Sequence, residues 1–297
     1  MKKYIFIFNK IYIILTFVAS ALSCTGLRME DGQPGNEEMS FVPELPRSRT
    51  KATDTSFETS DEIGIYAVGY DGSGEPLGLE LSGNWANNAK GVFDSQNWNV
   101  NPPVYWDGDR RFDVYSYYPY SGEVGSVNDF RFDLKTDQRD SGFTLSDLMW
   151  ARAVSVTRDG GAVSLKFTHR LSRLDIRLVK GEYYEGDLPQ EAEVRIHNTV
   201  TTALVDFETG DVEKAQDVPA SSITAHCNAP GSFSAIVVPQ KILNQLPLVE
   251  VITKDVSYLV SAKFIFESGM RHKVDVILSD NPDKVVINVG GGIEDWN

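Results

Sequence analysis

Cysteine is almost missing from this chain: two occur among 297 residues, Cys24 and Cys227. At most one disulfide can form, so a disulfide framework and a zinc ribbon are both excluded. Histidine is scarce too. His169, His197, His226 and His272 show neither the i, i+4 spacing of a helical metal site nor a Glu-bearing motif, and no metal ligand is nominated. Positive charge is in deficit, with 28 Lys and Arg against 42 Asp and Glu and a formal net charge of -14. Such a field repels phosphate backbones, so nucleic acid is excluded as a partner. Helical periodicity is also lacking, since no segment of about 12 or more residues repeats its apolar side chains every 3.6 positions. Gly290-Gly291-Gly292 has no following Lys-Ser/Thr, and no Gly-x-Ser-x-Gly elbow occurs, which removes the phosphate loop and the hydrolase nucleophile. Nothing in the spacing announces catalysis. The expectation is a non-enzyme without a cofactor.

Long apolar runs are absent except at the start. Lys2, Lys3 and Lys10 precede the uncharged stretch from Ile11 to Leu22, which ends in Ser23-Cys24. This is the pattern of a secretory signal over residues 1–23, shorter than the ~20 apolar residues that span a bilayer. Ala21-Leu22-Ser23-Cys24 resembles a bacterial lipobox, with Ala21 where Leu is usual. Cys24 is therefore the candidate lipidation site. The competing reading is an ordinary cleaved signal with Cys24 later bonded to Cys227; under lipidation Cys227 is a lone thiol, expected as a small buried hydrophobe.

What is abundant is alternation of period two. After a Gly- and acid-rich spacer come Met39-Ser-Phe-Val-Pro-Glu-Leu45 and a basic loop, Pro46-Arg-Ser-Arg-Thr-Lys-Ala-Thr-Asp54, of the composition that proteases reach most easily. Beyond it, Ile63–Val68, Phe112–Tyr118, Phe130–Leu134, Val163–Phe167, Leu174–Leu178 and further segments to Val289 read as about fourteen half-buried strands. Turn pairs such as Asp71-Gly72, Asp159-Gly160 and Thr209-Gly210 separate them. Strands without crossover helices predict an all-β fold of antiparallel sandwiches. Val163, Leu165, Phe167, His169 and Leu171 occupy odd positions, whereas Leu174, Ile176 and Leu178 occupy even ones. This slip near Ser172-Arg173 reverses the buried face, which fits either a bulge or a strand leaving one sandwich and entering the next. It places a domain junction near residue 170.

Three local patterns invite chemistry. Asp107-Gly-Asp-Arg-Arg-Phe-Asp113 has carboxylates at calcium-loop spacing, but Arg111 fills the fifth position and no terminal Glu follows, so an acidic turn is the better reading. His226 and Cys227 are neighbours, and adjacent strand residues face opposite ways, which prevents a nucleophile pair. Trp85, Trp98, Tyr105, Trp106, Tyr115, Tyr117, Tyr118 and Tyr120 either fill a sandwich core or offer a stacking surface for sugars; both readings remain open.

Several segments in order resemble the Bacteroidota fimbrillin family, the type V pilins. They are Thr50-Lys-Ala-Thr-Asp-Thr-Ser-Phe57 with Asp61-Glu-Ile-Gly-Ile-Tyr-Ala67, Val104-Tyr-Trp106 leading to Phe112-Asp-Val-Tyr-Ser-Tyr-Tyr-Pro-Tyr120, Asp147-Leu-Met-Trp-Ala151, Leu165-Lys-Phe-Thr-His-Arg-Leu-Ser-Arg-Leu174 and the terminal Ile293-Glu-Asp-Trp296. The resemblance implies two transthyretin-like antiparallel β-sandwich domains in tandem. It divides the chain into a lipoprotein signal peptide (1–23), a spacer with a removable N-terminal strand (24–51), an N-terminal sandwich (52–170) and a C-terminal sandwich with a possible donor strand (171–297).

The same resemblance implies a structural subunit of a cell-surface fimbria that contributes to adhesion. Such subunits are exported as lipoproteins to the outer membrane, cut by a trypsin-like protease and polymerised by donor-strand exchange. Here the removable strand lies around Met39 to Leu45, with cleavage expected at Arg49 or Arg47, because Lys51 stands where the family often has Arg. Lys284–Val289 and Ile293–Trp296 are the donor candidates, unless both remain the last strands of their own sandwich. The implied partners are other fimbrial subunits, the protease, the outer membrane through the lipid, and host or bacterial surface glycans or proteins. A different reading is a monomeric surface lipoprotein that binds glycans through its aromatics.

Overall fold

The computed structural model describes residues 37–46, 56–182, 184–254, 256–288 and 292–297. The chain before residue 170 forms β1 (Phe41–Glu44), β2 (Glu62–Gly69), β3 (Ala86–Phe93), β4 (Trp98–Asn101), β5 (Phe112–Tyr118), β6 (Phe130–Asp133), β7 (Met149–Val156), β8 (Val163–Lys166) and β9 (Thr168–His169). The remainder forms β10 (Ser172–Lys180), β11 (Glu193–Thr199), β12 (Thr202–Val205), β13 (Val212–Lys214), β14 (Ser221–Thr224), β15 (His226–Ala229), β16 (Ser232–Val237), β17 (Gln240–Ile252), β18 (Ser257–Phe266), β19 (Met270–Leu278), β20 (Val286–Asn288) and β21 (Ile293–Asp295). The fold is all-β, as the alternation predicts; the helical elements among the described residues are single 3-10 turns.

One sheet has the order β4-β3-β2-β5-β7-β9 and is covered on both faces. On one side lies the β1-β8 pair, which buries Ile63, Ile65, Phe112, Val114 and Tyr118 together with Met39, Phe41 and Trp106. On the other side Tyr66, Val68, Tyr115 and Tyr117 pack with Phe130, Phe132 and Phe207, which come from the small sheet β13-β12-β6 and the turn after it. The sequence predicts half-buried strands at β2 and β5, but seven of the eight residues of β2 and all seven of β5 are buried. Coverage of a second face is a tertiary event that alternation of polarity does not report. Gly64 serves this packing directly: the Tyr117 ring occupies the space a Cβ would need, with Asn88 Oδ1 also close.

The other two sheets, β14-β11-β17-β18 and β15-β16-β10-β19-β20, share a core of Leu174, Ile176, Phe233, Val276, Val194, Ile196 and Phe264. The slip in phase near Ser172 marks the chain leaving one sheet after β9 and entering another at β10. Hydrophobic packing is continuous across this point, because β6 pairs with β12 and Tyr117 stacks on Phe207 at 4.4 Å. All extended pairings are antiparallel except β1 with β8 and β10 with β19. Cys227 corrects an expectation: it is exposed rather than buried. It lies on edge strand β15 opposite Phe233 and opens onto a surface groove shared with Ile252 and Thr253.

Candidate functional site

Two segments are attached to the body as single strands, and they are the ones the sequence singles out. The first is the stretch from Glu37 to Leu45. Its alternation puts Met39 and Phe41 inside, 1% and 5% exposed, and leaves Val42 outward. Met39 N donates to Val104 O at 2.7 Å and Trp106 N to Glu37 O at 2.9 Å, so this part runs antiparallel to residues 104–106. The chain then turns onto β8, where Phe41 to Glu44 align with Val163 to Lys166 in parallel. Val163 N donates to Ser40 O at 2.8 Å, Phe167 N to Glu44 O at 2.9 Å, and Ser164 Oγ to Glu44 Oε1 at 2.8 Å. Beneath this strand lie Val104, Trp106, Val163, Leu165 and Phe167, all buried.

The second is the C-terminal tail. β20 pairs with residues 275–277 of β19 and β21 with residues 270–272, both antiparallel. Among the described residues each pairs with β19 alone, so the tail is an edge addition. Gly292, at φ +103°, precedes β21, and its carbonyl accepts from Lys273 N at 3.0 Å. Ile293 points to solvent whereas Trp296 is 7% exposed. Its indole lies 3.8 Å from the His169 imidazole with 2° between the planes, and the Arg173 guanidinium stands 5.7 Å from the ring centre. Trp296 N donates to Gly269 O at 2.9 Å, and His169 N donates to Asn297 Oδ1 at 2.6 Å. His169 Nδ1 is itself 2.8 Å from Asp147 Oδ1. Sequence reasoning named the tail but not this clasp; the signal for it was the terminal Trp, a large aromatic at the end of an acidic segment.

Cys24, Arg47 and Arg49 lie outside the described residues, as do the first two glycines of Gly290-Gly291-Gly292. The aromatic segment divides. Trp106, Tyr115, Tyr117 and Tyr118 are core, Trp98 stacks on Phe93 at 5.2 Å, and Trp85 and Tyr105 stay outside at 45% and 38% exposure. Trp85 is fixed by its Nε1 donating to Tyr105 O at 2.7 Å and borders a cleft of about 560 Å³ with Leu77, Asn84 and Arg110.

The three aspartates of the acidic turn do not converge. Asp107 meets Arg110 at 2.8 Å and Asp109 meets Arg158 at 3.1 Å. Asp113 is buried and accepts from Tyr70 Oη at 2.6 Å, Arg152 Nη2 at 2.7 Å and Ser155 N at 2.8 Å. Burial pushes its carboxyl up, but these three donors outweigh that and hold it below the usual carboxylate range. The histidines are equally dispersed: His197 bonds Ser222 and Glu250, and His272 Nε2 accepts from Glu267 N at 3.2 Å. No group of three or more His, Cys, Asp or Glu able to hold a metal occurs among the described residues.

Solved structures share this architecture. A candidate cell adhesion protein of Bacteroides uniformis is 20% identical with a TM-score of 0.65, covering 88% of this chain and 98% of its own. One of Bacteroides ovatus is 16% identical at a TM-score of 0.70 over the same shares. A fimbrial protein of Bacteroides vulgatus is 14% identical at 0.54, over 88% of this chain and all of its own. Among proteins of curated function, none matches the sequence. The sequence profile of the Fimbrillin-like family matches residues 50–296, and with most of the length accounted for in this way the chain belongs to that family.

Proposed function

We propose that this protein is a structural subunit of a cell-surface fimbria that contributes to adhesion. In this reading it is exported as a lipoprotein acylated at Cys24, cut at Arg49 or Arg47, and joined to its neighbours by strand exchange. Membership of the Fimbrillin-like family and the likeness to fimbrial and adhesion proteins support the general role. A structural rather than catalytic part in the cell follows from the same membership.

The observation that carries the finer reading is the placement of β1. The stretch from Glu37 to Glu44 pairs first with residues 104–106 and then, as β1, with β8, held by backbone bonds and by Met39 and Phe41, and it ends just before the segment containing Arg47 and Arg49. Cleavage there removes the strand together with the lipidated N-terminus. What is left is a groove floored by Trp106, Leu165 and Phe167 with unpaired N–H and C=O groups on both walls, a template for another chain's strand. A donated strand making five or six backbone bonds at about 1 kcal/mol net each, with three or four buried side chains at ~1.5 to 3 kcal/mol apiece, holds subunits together after docking costs. The tail from Lys284 onward is the donor, because it pairs on one side only and its attachment rests on one strand and one clasp. The partners are other subunits, a trypsin-like protease, and the outer membrane until the lipid is removed.

The test is incubation of the purified precursor with an Arg-specific protease. The reading expects a new N-terminus at Ser48 or Thr50 followed by ladders stable in detergent, and neither in an Arg47→Ala/Arg49→Ala double variant. An uncut monomer with affinity for neutral sugars favours instead the monomeric glycan-binding lipoprotein, for which the exposed ring of Trp85 beside Tyr105 is the remaining platform.

A further inference from the structure

A polar cleft lies on the outer face of the sheet that contains β10, β16 and β19. Alternation along β10 directs Leu174, Ile176 and Leu178 into the core and Arg173, Asp175 and Arg177 outward. An outward strand face is ordinarily solvated, yet Arg173 and Ser234 are buried here. Two elements cover this face: Trp296, 5.7 Å from the Arg173 guanidinium, and the segment from Asp140 to Thr144, whose Phe143 ring lies 5.3 Å from the same guanidinium and 5.5 Å from the His226 ring. That segment borders a cleft of about 630 Å³ in which only Phe143, Ile176 and Val274 of fifteen lining residues are apolar.

Polar groups converge inside it. Asp175 sits at the centre, accepting from Arg173 Nε at 2.9 Å and Ser234 Oγ at 2.7 Å and pairing with Arg271. Asn228 Nδ2 reaches Ser234 Oγ at 2.8 Å. Burial pushes the Asp175 carboxyl up, but Arg173, Ser234 and Arg271 hold it below the usual range. Arg177 pairs with Asp275 at 2.8 Å. His226 Nδ1 is buried without a hydrogen-bond partner.

The charge of the lining is unusual for so acidic a chain. Four cations, Arg173, Arg177, Arg271 and Lys273, face three carboxylates, Asp140, Asp175 and Asp275, in a protein of net charge -14. The fourth carboxylate is lent by the tail: Glu294 of β21 lies 2.8 Å from Lys273 Nζ and 3.4 Å from Arg271 Nη1. A carboxylate therefore already rests on this pair, carried by a strand that is an edge addition.

We propose that this cleft is a binding site for a carboxylate-bearing saccharide, with Arg271 and Lys273 taking the acid group in place of Glu294. Asn228, Asp175 and Ser232 meet the hydroxyls, and the small apolar surface of Phe143 lies against the ring. The scarcity of apolar lining excludes an acyl chain or an apolar peptide, which need a mostly hydrophobic wall, and the excess of hydrogen-bonding groups matches a polyol. Because Glu294 and the ligand compete for the same two cations, ligand occupancy and seating of β21 oppose each other by the same factor.

Calorimetric titration of the full chain with trigalacturonate and with 3'-sialyllactose, against maltotriose and lactose, tests this. At least one acidic sugar binds about tenfold or more tightly than its neutral counterpart, and which of the two does so identifies the acid as a uronate or a sialic acid. Lys273→Ala, a change at a half-exposed side chain, weakens that binding about tenfold, and Glu294→Gln strengthens it about threefold or more by removing the resident competitor. Acetate at equal ionic strength competes only weakly. The proposal is overturned by absence of binding in both wild type and Glu294→Gln, by equal affinity for neutral sugars, by indifference to Lys273→Ala, or by acetate binding as well as the saccharides.

Discussion

The indole of Trp296 lies parallel to the imidazole of His169 at 3.8 Å, so the end of the chain is clasped to β9, a strand of another sheet. These two rings and the bond from Trp296 N to Gly269 O add to the β19 ladder and the Glu294 ion pairs that hold the last strand on the body.

Trp296→Ala removes the stacked ring. Truncating a buried Trp costs about 3 kcal/mol or more, and here the loss falls on local opening of β21 rather than on the whole core. Amide exchange at Lys273 and Trp296, which bond Gly292 and Gly269, accelerates strongly, while β2 and β5 retain their protection. Trp296→Phe restores part of the effect, because a ring remains on His169.

Phe41→Ala acts at the other single strand. The lost side chain costs about 3 kcal/mol and leaves the strand held by its backbone bonds and Met39. Hydrogen exchange at Val163 and Phe167, which donate to Ser40 and Glu44, rises, and strand loss after Arg-specific cleavage becomes faster than in wild type.

Acid weakens the fold in two stages. His272 is pushed below its ordinary value of 6.5 by burial, so the unfolded chain takes up protons first, and stability begins to fall as pH drops through 6.5. Asp113 and Asp175 are held below 3.8 in the fold; the stabilisation they give is complete above that value and is lost as pH falls through it toward their folded values. Urea midpoints measured from neutral pH down to about pH 3 trace both steps. Asp113→Asn lowers the unfolding free energy at neutral pH by about 3 kcal/mol, since Arg152 loses its buried partner, which lowers the urea midpoint and flattens the lower step.

Gly64→Ala forces the Tyr117 ring off its seat beside Phe207. Overpacking of this kind costs about 1 to 3 kcal/mol, read as a lower thermal midpoint, with near-UV circular dichroism reporting the displaced tyrosine.

The sequence showed strands wherever both faces followed the rule of alternation: Phe112–Tyr118 is β5 residue for residue, and the slip at Ser172 coincides with the passage from β9 to β10. It did not show β4, β9, β13, β14 or β15, which are short, nor the eight-residue β7, whose outer half is mostly exposed or half-buried, nor the parallel pairings of β1 with β8 and β10 with β19, which join residues far apart in the chain. Burial of Tyr115 and Tyr117 depended on Phe130 and Phe207 arriving from other sheets. Of the site, Met39–Leu45 and Ile293–Trp296 were singled out through the resemblance to the fimbrillin family, whereas the stacking of Trp296 on His169 was not foreseen. The polar cleft was hidden because Arg173 and Asp175 look like any solvated strand face until Phe143 and Trp296 close over Arg173.

The most direct test separates acceptor from donor. Acceptor chains are cleaved at Arg49 and truncated after Asp283, so that the β1 groove is open and no tail can be given. Donor chains are left uncut, with groove filled and tail intact. Mixed and examined by analytical ultracentrifugation, they are expected to form a one-to-one dimer, and donors lacking residues 284–297 none. Failure of intact donors to dimerise, or equal dimerisation by tail-less ones, contradicts strand exchange as the means by which this subunit assembles.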